Sequence, residues 1–484
     1  MSPFSAARYA RLLEGLEISE IRFSEALAGP ARIDPEYFNR AALMALNRLQ
    51  DPIPLGSLVK SGYRVVYEST EAIERTEGER LGLPYFLQAA DISTPFINEE
   101  SMVCVSEADW HRYPKGRVIP GELLIEVKGK AEKVALVPKD FPRKTLVTGT
   151  CYKLSTHDEL DQYFLAAYLT CGYGQILKNR LKTNLLVSYL AKDDLYRLAV
   201  PNVSVALKTR IREVFTQCAA EEQKARSHIE DAEIELLDVL GLAAWTAPEP
   251  LSYVRRSSEA FGAERFDAEY FHPQKASALL DLRALSDATV GDLFSSVRQL
   301  WQPDAGSPSD LVRNYDLNDA LVPFLNGKKS PVARGEIAST KKLLKAGDLV
   351  ASRLRSYLRE IAIVEPSTEF PMVASTEYIV LRPNSRTALP VEALLVYLRS
   401  SLPQIVLKWS QDGSNHPRFD EKEILRMPVP RELVANPAPY VNAMQELKAS
   451  KQRVGELLAA MTSAIEIAIE DSEVAAIQYL KSFE

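Results

Sequence analysis

The stretch that decides the fold is Arg32-Ile33-Asp34-Pro35-Glu36-Tyr37-Phe38, because it returns as Arg265-Phe266-Asp267-Ala268-Glu269-Tyr270-Phe271 in a chain of 484 residues. The two copies of this RxDxEYF motif lie 233 residues apart, close to half the chain length. A repeat of that period indicates two copies of one domain related by pseudo-symmetry. Two such domains suit a partner that is long or that has two parts.

Further matches follow in the same order in both halves, with an offset that varies between about 225 and 234 residues, as small loop insertions produce. Each match is weak by itself, and their shared order establishes the duplication. The matching pairs are Pro120-Gly121-Glu122-Leu123-Leu124 with Ala346-Gly347-Asp348-Leu349-Val350, residues 134–137 with 361–364, Thr150-Cys151-Tyr152 with Thr376-Glu377-Tyr378, Tyr168-Leu169 with Tyr397-Leu398, Gln175-Ile176 with Gln404-Ile405, and Leu195, Val200 and Pro201 with Ile424, Val429 and Pro430.

The composition is that of a globular protein, with 46% apolar and 25% charged residues. The start of the chain lacks the long apolar segment of a secretion signal, and no apolar run reaches the roughly 18 residues that span a membrane. We therefore expect a cytoplasmic protein without a membrane partner. The four cysteines are Cys104, Cys151, Cys171 and Cys218, which form no CxxC pair and are expected to be free thiols.

The net charge of −7 looks unsuitable for a nucleic-acid binder until it is mapped along the chain. Residues 202–247 and 431–484 each contain 5 basic and 8 acidic residues, so much of the excess acid lies in these two segments. The field at a binding groove depends on where the charges lie more than on their total. The rest of the chain therefore remains able to bind a polyanion.

Short apolar runs separated by glycine, proline and charged residues predict the strands of mixed α/β (α+β) domains. These runs are residues 123–127, 134–137, 349–351, 361–364 and 378–381. Apolar spacing predicts helices over residues 161–177 and 390–407.

After Pro201 and Pro430 the apolar residues step mainly by three and four, which predicts two long amphipathic helices. The simplest way to bury both stripes is to pair the helices as an antiparallel coiled coil. A helix of about 38 residues is about 57 Å long, which predicts a rod with a globular domain toward each end. The predicted stripes are Leu207, Ile211, Val214, Cys218, Ala225, Ile229, Ala232, Leu236 and Val239 in the first helix, and Leu447, Lys451, Val454, Leu458, Met461, Ile465 and Ala468 in the second.

This pattern resembles the specificity (S) subunit of type I restriction–modification systems. The residues that support the resemblance are the two RxDxEYF motifs, the Gly121-Glu122-Leu123 and Gly347-Asp348-Leu349 turns, Arg197-Leu198-Ala199-Val200-Pro201, Arg426-Met427-Pro428-Val429-Pro430, and Gln411-Asp412-Gly413-Ser414-Asn415. Lys178-Asn179-Arg180-Leu181-Lys182, taken as the first-half counterpart of the last tract, lacks its glycine.

The resemblance implies a non-catalytic, DNA-binding subunit in which each domain reads one half of a split site in double-stranded DNA. Paired helices would set the gap and dock methyltransferase subunits, expected to be two, and in many systems a translocating restriction nuclease joins. The implied domains are residues 1–201 (first target-recognition domain with the N-terminal segment), 202–241 (first spacer helix), 242–262 (linker), 263–430 (second target-recognition domain) and 431–484 (second spacer helix). Because the halves differ in sequence, the expected site is asymmetric.

Candidate DNA-binding residues supply guanidinium, ammonium, amide, hydroxyl and imidazole groups around the predicted turns, which suit phosphates and base edges. We expect Arg353 and Arg355 to share one face of a strand. The candidates are Lys128, Lys130, Lys133, Arg143, Lys144, Lys178, Arg180, Lys182, Lys341, Lys342, Lys345, Arg353, Arg355, Arg359, Gln411, Ser414, Asn415, His416 and Arg418. Residues expected to join each domain to the helices or to the methyltransferase are Arg32, Asp34, Glu36, Tyr37, Arg265, Asp267, Glu269 and Tyr270.

Rival activities find weaker support in the sequence. Glu126-Val127-Lys128 resembles the end of a nuclease motif but lacks a convincing aspartate to hold magnesium. Asn436-Pro437-Ala438-Pro439-Tyr440 resembles an adenine methyltransferase motif, but an extra alanine spoils its turn and no glycine-rich cofactor loop accompanies it. We therefore expect no catalytic residues, no metal and no cofactor. The alternative function is a specificity-like scaffold, or protein-binding subunit, of another phage-defence assembly.

Overall fold

The computed structural model describes residues 5–16, 18–27, 32–65, 70–141, 144–183, 188–366, 369–385, 387–413 and 416–483. The chain divides into two compact units, which we call unit 1 (Met1–Glu222 with Gln452–Glu484) and unit 2 (Gln223–Lys451). Both boundaries fall inside long helices, Val205–Val239 and Ala438–Glu470, so each of these helices contributes residues to both units.

Both units mix α-helices with short strands, as predicted for the α/β (α+β) class. The α-helices are α1 Ala6–Leu12, α2 Phe23–Leu27, α3 Arg40–Arg48, α4 Arg75–Arg80, α5 Glu107–Arg112, α6 Glu159–Tyr168, α7 Gly172–Arg180, α8 Lys192–Arg197, α9 Val205–Val239, α10 Ser257–Ala263, α11 Pro273–Ala284, α12 Val290–Leu293, α13 Val391–Arg399, α14 Ser401–Lys408, α15 Glu421–Leu425, α16 Arg431–Ala435, α17 Ala438–Glu470 and α18 Glu473–Lys481. The strands are β1 Ile53–Pro54, β2 Val59–Tyr63, β3 Tyr85–Leu87, β4 Ile92–Ser93, β5 Phe96–Ile97, β6 Val103–Cys104, β7 Leu123–Glu126, β8 Val134–Leu136, β9 Thr145–Val147, β10 Cys151–Thr156, β11 Ala199–Val200, β12 Ser286–Thr289, β13 Phe294–Ser296, β14 Leu300–Trp301, β15 Leu311–Tyr315, β16 Phe324–Leu325, β17 Val332–Ala333, β18 Lys341–Leu344, β19 Leu349–Ser352, β20 Ile361–Val364, β21 Met372–Ala374, β22 Tyr378–Pro383 and β23 Pro428–Pro430.

The main sheet of unit 1 has the strand order β2-β10-β7-β8, and every neighbouring pair is antiparallel. A second sheet, β6-β3-β9, contains the parallel pair of β3 and β9. The short pair of β1 and β11 joins the start of the domain to its end.

The main sheet of unit 2 repeats that order as β13-β22-β19-β20 and adds β16 in parallel with β20. Its second sheet, β14-β18-β21-β15-β17, contains the parallel pair of β15 and β21. The pair of β12 and β23 closes the domain as β1 and β11 do in unit 1. The duplication predicted from sequence is therefore present in the topology of each unit.

Strand register corrects one of the sequence matches. Cys151 lies opposite Glu126, and Tyr378 lies opposite Ser352, so these two residues occupy equivalent places in their ladders. The counterpart of Glu377 is then Thr150, one residue from the predicted match. Ladder hydrogen bonds define equivalent strand positions, whereas the motif match relied on residue type.

The helices predicted over residues 161–177 and 390–407 are each broken into two, α6 with α7 and α13 with α14. The break falls at Cys171 in unit 1 and at Ser400 in unit 2, and both residues have extended backbone, with ψ of 165° and 162°. Close packing fixes the first break, because a Cβ at Gly174 would lie 1.9 Å from the carbonyl oxygen of Tyr168.

Helix α9 lies within its predicted segment, residues 202–241, and its predicted stripe is buried except for Val239. The predicted single helix over residues 431–484 is wrong, because this segment forms α16, α17 and α18. Within α17 the predicted Leu447 is buried, but the predicted Leu458 is only half-buried and its neighbour Leu457 is fully buried instead.

Each long helix contributes to two hydrophobic cores. In unit 1, Leu207 to Cys218 of α9 share a core with Leu457 and Met461 of α17. In unit 2, Ala225 to Leu236 share a core with Met444 and Leu447. The four cysteines are buried free thiols, as predicted. Across the described residues, no helix combines the length and apolar character needed to cross a bilayer.

Candidate nucleic-acid interface

A buried ion pair fixes the first Gly-acid-Leu turn. Gly121 has a φ of 82°, a left-handed conformation that favours glycine. The neighbouring Glu122 accepts hydrogen bonds from Lys153 Nζ at 2.7 and 3.0 Å and from the backbone N–H of Ile119 at 2.8 Å. Lys153 Nζ also donates to the carbonyl oxygen of Arg117 at 2.7 Å. The turn is therefore tied to the centre of the main sheet.

The second turn uses the same device with different residues. Gly347 also has a φ of 82°. Arg382 donates two hydrogen bonds of 2.7 Å to the buried Asp348, which also accepts from the backbone N–H of Lys345 at 2.7 Å. Each unit therefore has a rigid frame from which the chain following β7 or β19 emerges.

In unit 1 that chain pairs with residues 188–190, which belong to the segment 181–190 that we call loop 1 and that the structure describes at 181–183 and 188–190. The carbonyl of Val127 accepts from Leu190 N–H at 2.9 Å, and Gly129 N–H donates to the carbonyl of Ser188 at 3.0 Å. Tyr189 forms bridges with both Lys128 and Thr183. These bonds place the lysines after β7 beside loop 1.

In unit 2 the equivalent bonds hold residues 417–419, which belong to the segment 410–419 that we call loop 2 and that the structure describes at 410–413 and 416–419. The carbonyl of Arg353 accepts from Phe419 N–H at 3.1 Å, and Arg355 N–H donates to the carbonyl of Pro417 at 3.1 Å. Arg418 forms bridges with both Leu354 and Asp412.

The shared bonding pattern corrects the sequence alignment of the two loops. Asp412 and Arg418 occupy the places of Thr183 and Tyr189. The counterpart of Gln411 is therefore Lys182 and not Lys178, which belongs to α7.

The first RxDxEYF motif clamps loop 1. Arg32 donates two hydrogen bonds of 2.7 Å to Asp34, and these bonds lower the pKa of that carboxyl. The same guanidinium donates to the carbonyls of Leu181 at 3.2 Å and Lys182 at 2.9 Å. It also lies 4.9 Å from the ring centre of Tyr37.

The second motif clamps loop 2 in the same way. Arg265 donates two hydrogen bonds of 2.6 Å to Asp267, again lowering the pKa of the aspartate, and a third of 3.1 Å to the carbonyl of Gln411. Tyr270 lies under this guanidinium at 4.7 Å and donates to Glu423 at 3.1 Å. Both motifs thus have the structural role of fixing a loop, which the sequence analysis did not identify.

Other side chains of the motifs point to solvent. Glu36 and Glu269 are exposed, and so are two apolar side chains at equivalent positions, Ile33 at 82% and Phe266 at 72%. Docking of a partner at the motifs stays a prediction.

Three of the predicted lysines of unit 1 lie together at loop 1. Lys128 and Lys130 are exposed, and Lys182 Nζ donates to the carbonyl of Lys130. Lys133 donates to the carbonyl of Ala89 at 2.9 Å. Its ammonium group is therefore partly engaged in hydrogen bonding within unit 1.

Lys144 lies elsewhere, at the start of β9, where it pairs with Glu107 at 3.4 Å. No contact among the described residues joins it to loop 1. Arg143 lies outside the described residues, as do Ser414 and Asn415 in loop 2.

Lys178 and Arg180 both bind backbone carbonyls within unit 1. Lys178 is fully buried and donates to the carbonyl of Glu132 at 2.9 Å, and burial lowers its pKa to about 7. Arg180 donates to the carbonyl of Tyr37 at 2.6 Å and lies 3.9 Å from its ring centre. The burial of Lys178 corrects its assignment as a surface DNA contact, because its ammonium group cannot reach a phosphate in this conformation.

The lysines of β18 differ in exposure. Lys341 is buried and lies 3.5 Å from Asp316. Lys342 donates to the carbonyl of Tyr378 at 2.6 Å, and burial lowers its pKa. Lys345 is exposed at the end of the strand.

The three arginines after β19 do not follow strand alternation. The strand ends at Ser352, and Arg355 and Arg359 have left-handed backbone with φ of 50° and 49°. Arg355 Nη2 lies 3.2 Å from Nδ1 of His416 in loop 2, whereas Arg359 donates to Glu233 of α9 at 3.1 Å. The prediction that Arg353 and Arg355 share one strand face is therefore wrong.

Glu377 joins the predicted cations and was missed as a site residue. Arg418 donates to its carboxylate through Nε at 3.0 Å and Nη2 at 2.9 Å, and Arg353 Nε lies 3.5 Å from the same carboxylate. These bonds from Arg418 lower the pKa of Glu377, which keeps it ionised. An acidic residue gave no sign in the sequence that it would lie between two guanidinium groups.

Gln411, at the start of loop 2, keeps its side-chain Nε2 buried without a hydrogen-bond partner in the described residues.

At the equivalent place unit 1 has a different cluster of side chains, formed by Arg64 and Tyr189, which the sequence analysis also did not identify. Arg64, which follows β2, donates to the carbonyl of Gly149 at 2.8 Å and to the hydroxyl of Tyr189. Its guanidinium lies 4.7 Å from the ring centre of Tyr189. The two candidate surfaces therefore share a backbone frame and differ in side chains.

Among known proteins, the similarities found for this chain are to solved structures. No protein-family model and no curated protein matches the chain. The chain is similar to structures of specificity subunits of type I restriction–modification systems.

One such structure is the S subunit from M. genitalium, with 14% identity and a TM-score of 0.30, covering 90% of this chain and 96% of that one. Another is the HsdS subunit from Thermoanaerobacter tengcongensis, with 12% identity and a TM-score of 0.24, covering 87% and 96%. A chain from a study of the complex assembly of the type I system has 11% identity and a TM-score of 0.25, covering 90% and 98%.

Proposed function

We propose that the chain is the DNA sequence-specificity subunit of a type I restriction–modification complex. In this role it has no catalytic residue of its own, reads a bipartite and asymmetric site, and docks methyltransferase subunits. The observation that supports it best is the clamped loop in each unit, because both RxDxEYF motifs hold a loop beside basic residues that are exposed in unit 1 and partly exposed in unit 2. Two loops, each held beside basic side chains, suit two segments of one double helix.

Charge placement supports a DNA contact in each unit. Lys128 and Lys130 present exposed ammonium groups at loop 1. Arg353 and Arg355 lie beside loop 2, and both residues are partly exposed. Residues whose backbone is already held by hydrogen bonds, such as Arg353 and Arg355, lose less conformational entropy on binding, so their side chains can discriminate between bases at lower cost.

Asymmetry of the proposed site follows from the side chains. Tyr189 and Thr150 in unit 1 occupy the places of Arg418 and Glu377 in unit 2. A phenol and a hydroxyl offer different hydrogen-bonding groups from a guanidinium and a carboxylate. The two half-sites are therefore expected to differ in sequence.

The long helices are proposed to pair as an antiparallel coiled coil that sets the spacer between half-sites. In unit 1, Glu473 accepts from Ser204 N–H at 3.0 Å, and Cys218 Sγ lies 3.7 Å from the carbonyl of Val454. Residues 204–218 and residues 454–473 therefore run in opposite directions. Helix α9 has 35 residues, a length of about 52 Å. One turn of DNA is about 34 Å, so a helix of this length is long enough to space two readers by one turn.

Partner docking is proposed at the exposed apolar side chains of the motifs. Ile33 and Phe266 are equivalent in the repeat, and both are largely exposed. A surface present once per repeat suits two copies of one methyltransferase subunit. A translocating nuclease subunit is proposed as an additional partner by the same resemblance.

The test is a genome-wide map of methylated adenines in the native host, with and without this chain. The expected result is a two-part asymmetric motif that loses methylation when the chain is deleted and regains it on complementation. A matched complementation with Arg32→Ala and Arg265→Ala together should restore little methylation, because both loops lose their clamps. A methylation map that is unchanged by deletion would refute the proposal.

A filter-binding series with random-sequence duplex DNA distinguishes the proposed DNA-reading function from the alternative, a scaffold or protein-binding subunit of another defence assembly. The full chain, co-expressed with the host's methyltransferase subunits, should bind DNA and prefer fragments that contain the mapped motif. Absence of DNA binding in every complex would instead favour a scaffold in another defence assembly.

A further inference from the structure

The hydrogen bonds around Glu377 divide the two neighbouring arginines into different roles. Arg418 donates through Nε and Nη2 to Glu377 and through Nη1 to the carbonyl of His416 at 2.9 Å. All three of its nitrogens are therefore engaged within the protein. Such a guanidinium acts as a brace, because reorienting it toward a base would break several bonds.

Arg353 is held differently. Its Nε lies 3.5 Å from Glu377 as an ion pair without a hydrogen bond, and among the described residues no hydrogen bond engages Nε, Nη1 or Nη2. Its backbone is fixed on both sides, by the bonds of Arg353 N–H to the carbonyl of Glu377 at 3.1 Å and of Phe419 N–H to the carbonyl of Arg353 at 3.1 Å. The side chain is 41% exposed. It therefore presents two parallel donors from an anchored position.

Glu377 is itself fixed. Its backbone N–H donates to Ser375 Oγ at 3.3 Å, and its carboxylate is braced by Arg418. A fixed carboxylate beside Nε orients a guanidinium without using its outer two nitrogens. That geometry suits a bidentate contact with the O6 and N7 acceptors of guanine in the major groove.

We propose that Arg353 reads a guanine in the half-site of unit 2 and that Glu377, braced by Arg418, is the positioning residue that orients it. The inference rests on the proposed function and deepens it by assigning one base to one side chain. Unit 1 lacks this device, because Val127 and Thr150 occupy the places of Arg353 and Glu377. Guanine reading by this arrangement is confined to one half of the site.

The experiment is selection from a library of duplexes with randomised sequence, using the full chain co-expressed with the host's methyltransferase subunits. Wild-type protein should enrich a two-part motif with a fixed guanine in one half. Arg353→Ala should lower the preference for that guanine by about 5- to 150-fold, the range for one bidentate base contact. Arg353→Lys keeps the charge and loses the two-donor fork, so it should retain most of the affinity and lose the preference.

Glu377→Gln tests positioning. It keeps the size of the side chain and removes the charge that aligns Arg353, so it should weaken the preference for the same guanine and leave the other half of the motif intact. That intact half also shows that each variant is folded. Arg431→Lys is the matched control, because Arg431 forms an exposed pair with Asp287 at 2.8 Å in the same unit and should leave the motif unchanged.

The outcomes separate the two proposals. Enrichment of a two-part motif that Arg353→Ala and Arg353→Lys leave unaltered would overturn the assignment while the proposed function stands. Loss of both halves in Arg353→Lys would also overturn it, because a reader of one base should affect only its own half. Failure of the wild-type complex to enrich any motif would overturn the proposed function and this inference together.

Discussion

The buried pair of Glu122 and Lys153 allows a prediction whose size can be worked from its surroundings. Both side chains are more than 90% buried, and Lys153 Nζ supplies two of the hydrogen bonds that Glu122 accepts. Lys153→Met leaves the carboxylate inside the core with the N–H of Ile119 as its one remaining hydrogen-bond partner among the described residues. Removing one partner of a buried pair typically costs about 3–5 kcal/mol, and we expect that loss in unit 1.

The assay is hydrogen exchange of the full chain followed by mass spectrometry of peptides from β7 and β10. A local loss of about 3–5 kcal/mol corresponds to exchange faster by about two to three and a half powers of ten. Adding Glu122→Gln to Lys153→Met should recover much of the protection, because a neutral amide oxygen still accepts from Ile119 without a buried charge.

The matched control is Lys139→Met, which removes an exposed lysine paired with Glu159 in the same unit. An exposed ion pair contributes little, so protection of β7 and β10 should not change. Two results would refute the reasoning that burial decides how much stability is lost. One is an equal effect of Lys153→Met and Lys139→Met on exchange. The other is a double variant, Lys153→Met with Glu122→Gln, that is no better protected than Lys153→Met alone.

Three further predictions follow from burial and exposure. Because burial lowers the pKa of Lys178 to about 7, the unfolded state binds more protons than the folded state between that value and the ordinary lysine pKa of about 10.4, so the stability of unit 1 should rise with pH over this window. Urea unfolding at pH 7 and pH 9 should show this rise in wild type and not in Lys178→Leu. Leu457→Ala should destabilise the protein by about 2–5 kcal/mol and Leu458→Ala by clearly less, and equal melting temperatures would contradict the observed burial. Ile33→Glu and Phe266→Glu should each remove one methyltransferase subunit from the complex in light scattering after size exclusion, whereas two retained subunits would exclude docking there.

The two halves show how far local pattern reaches. Gly121 and Gly347 were recognisable because a left-handed turn followed by an acid and an apolar strand is encoded within five residues. The stripe of α9 was recognisable because its period of three to four residues needs no knowledge of the partner that covers it.

The helix breaks and the loop alignment were not recognisable. The break before α7 depends on Gly174 packing against the carbonyl of Tyr168, and apolar spacing runs through it unchanged. The sequence alignment matched Lys178 to Gln411 by residue order. The backbone hydrogen bonds show instead that Lys182 is the counterpart of Gln411 in the repeat. Lys178 itself lies where unit 2 has an apolar residue, Leu407, and its charge concealed its burial.

The sequence by itself determined that this protein is a duplication of one α/β domain with a long amphipathic helix after each copy, because repeats, turn glycines and helical periods are written in short stretches of chain. Only the tertiary structure decided which charged side chains are committed within the protein and which remain available. Arg32 binds a carbonyl 149 residues away and Arg265 one 146 residues away. Arg418 is engaged by Glu377, whereas Nη1 and Nη2 of Arg353 have no hydrogen-bond partner among the residues that the structure describes. Hydrogen-bond partners brought together by folding set these roles, and no local pattern records them.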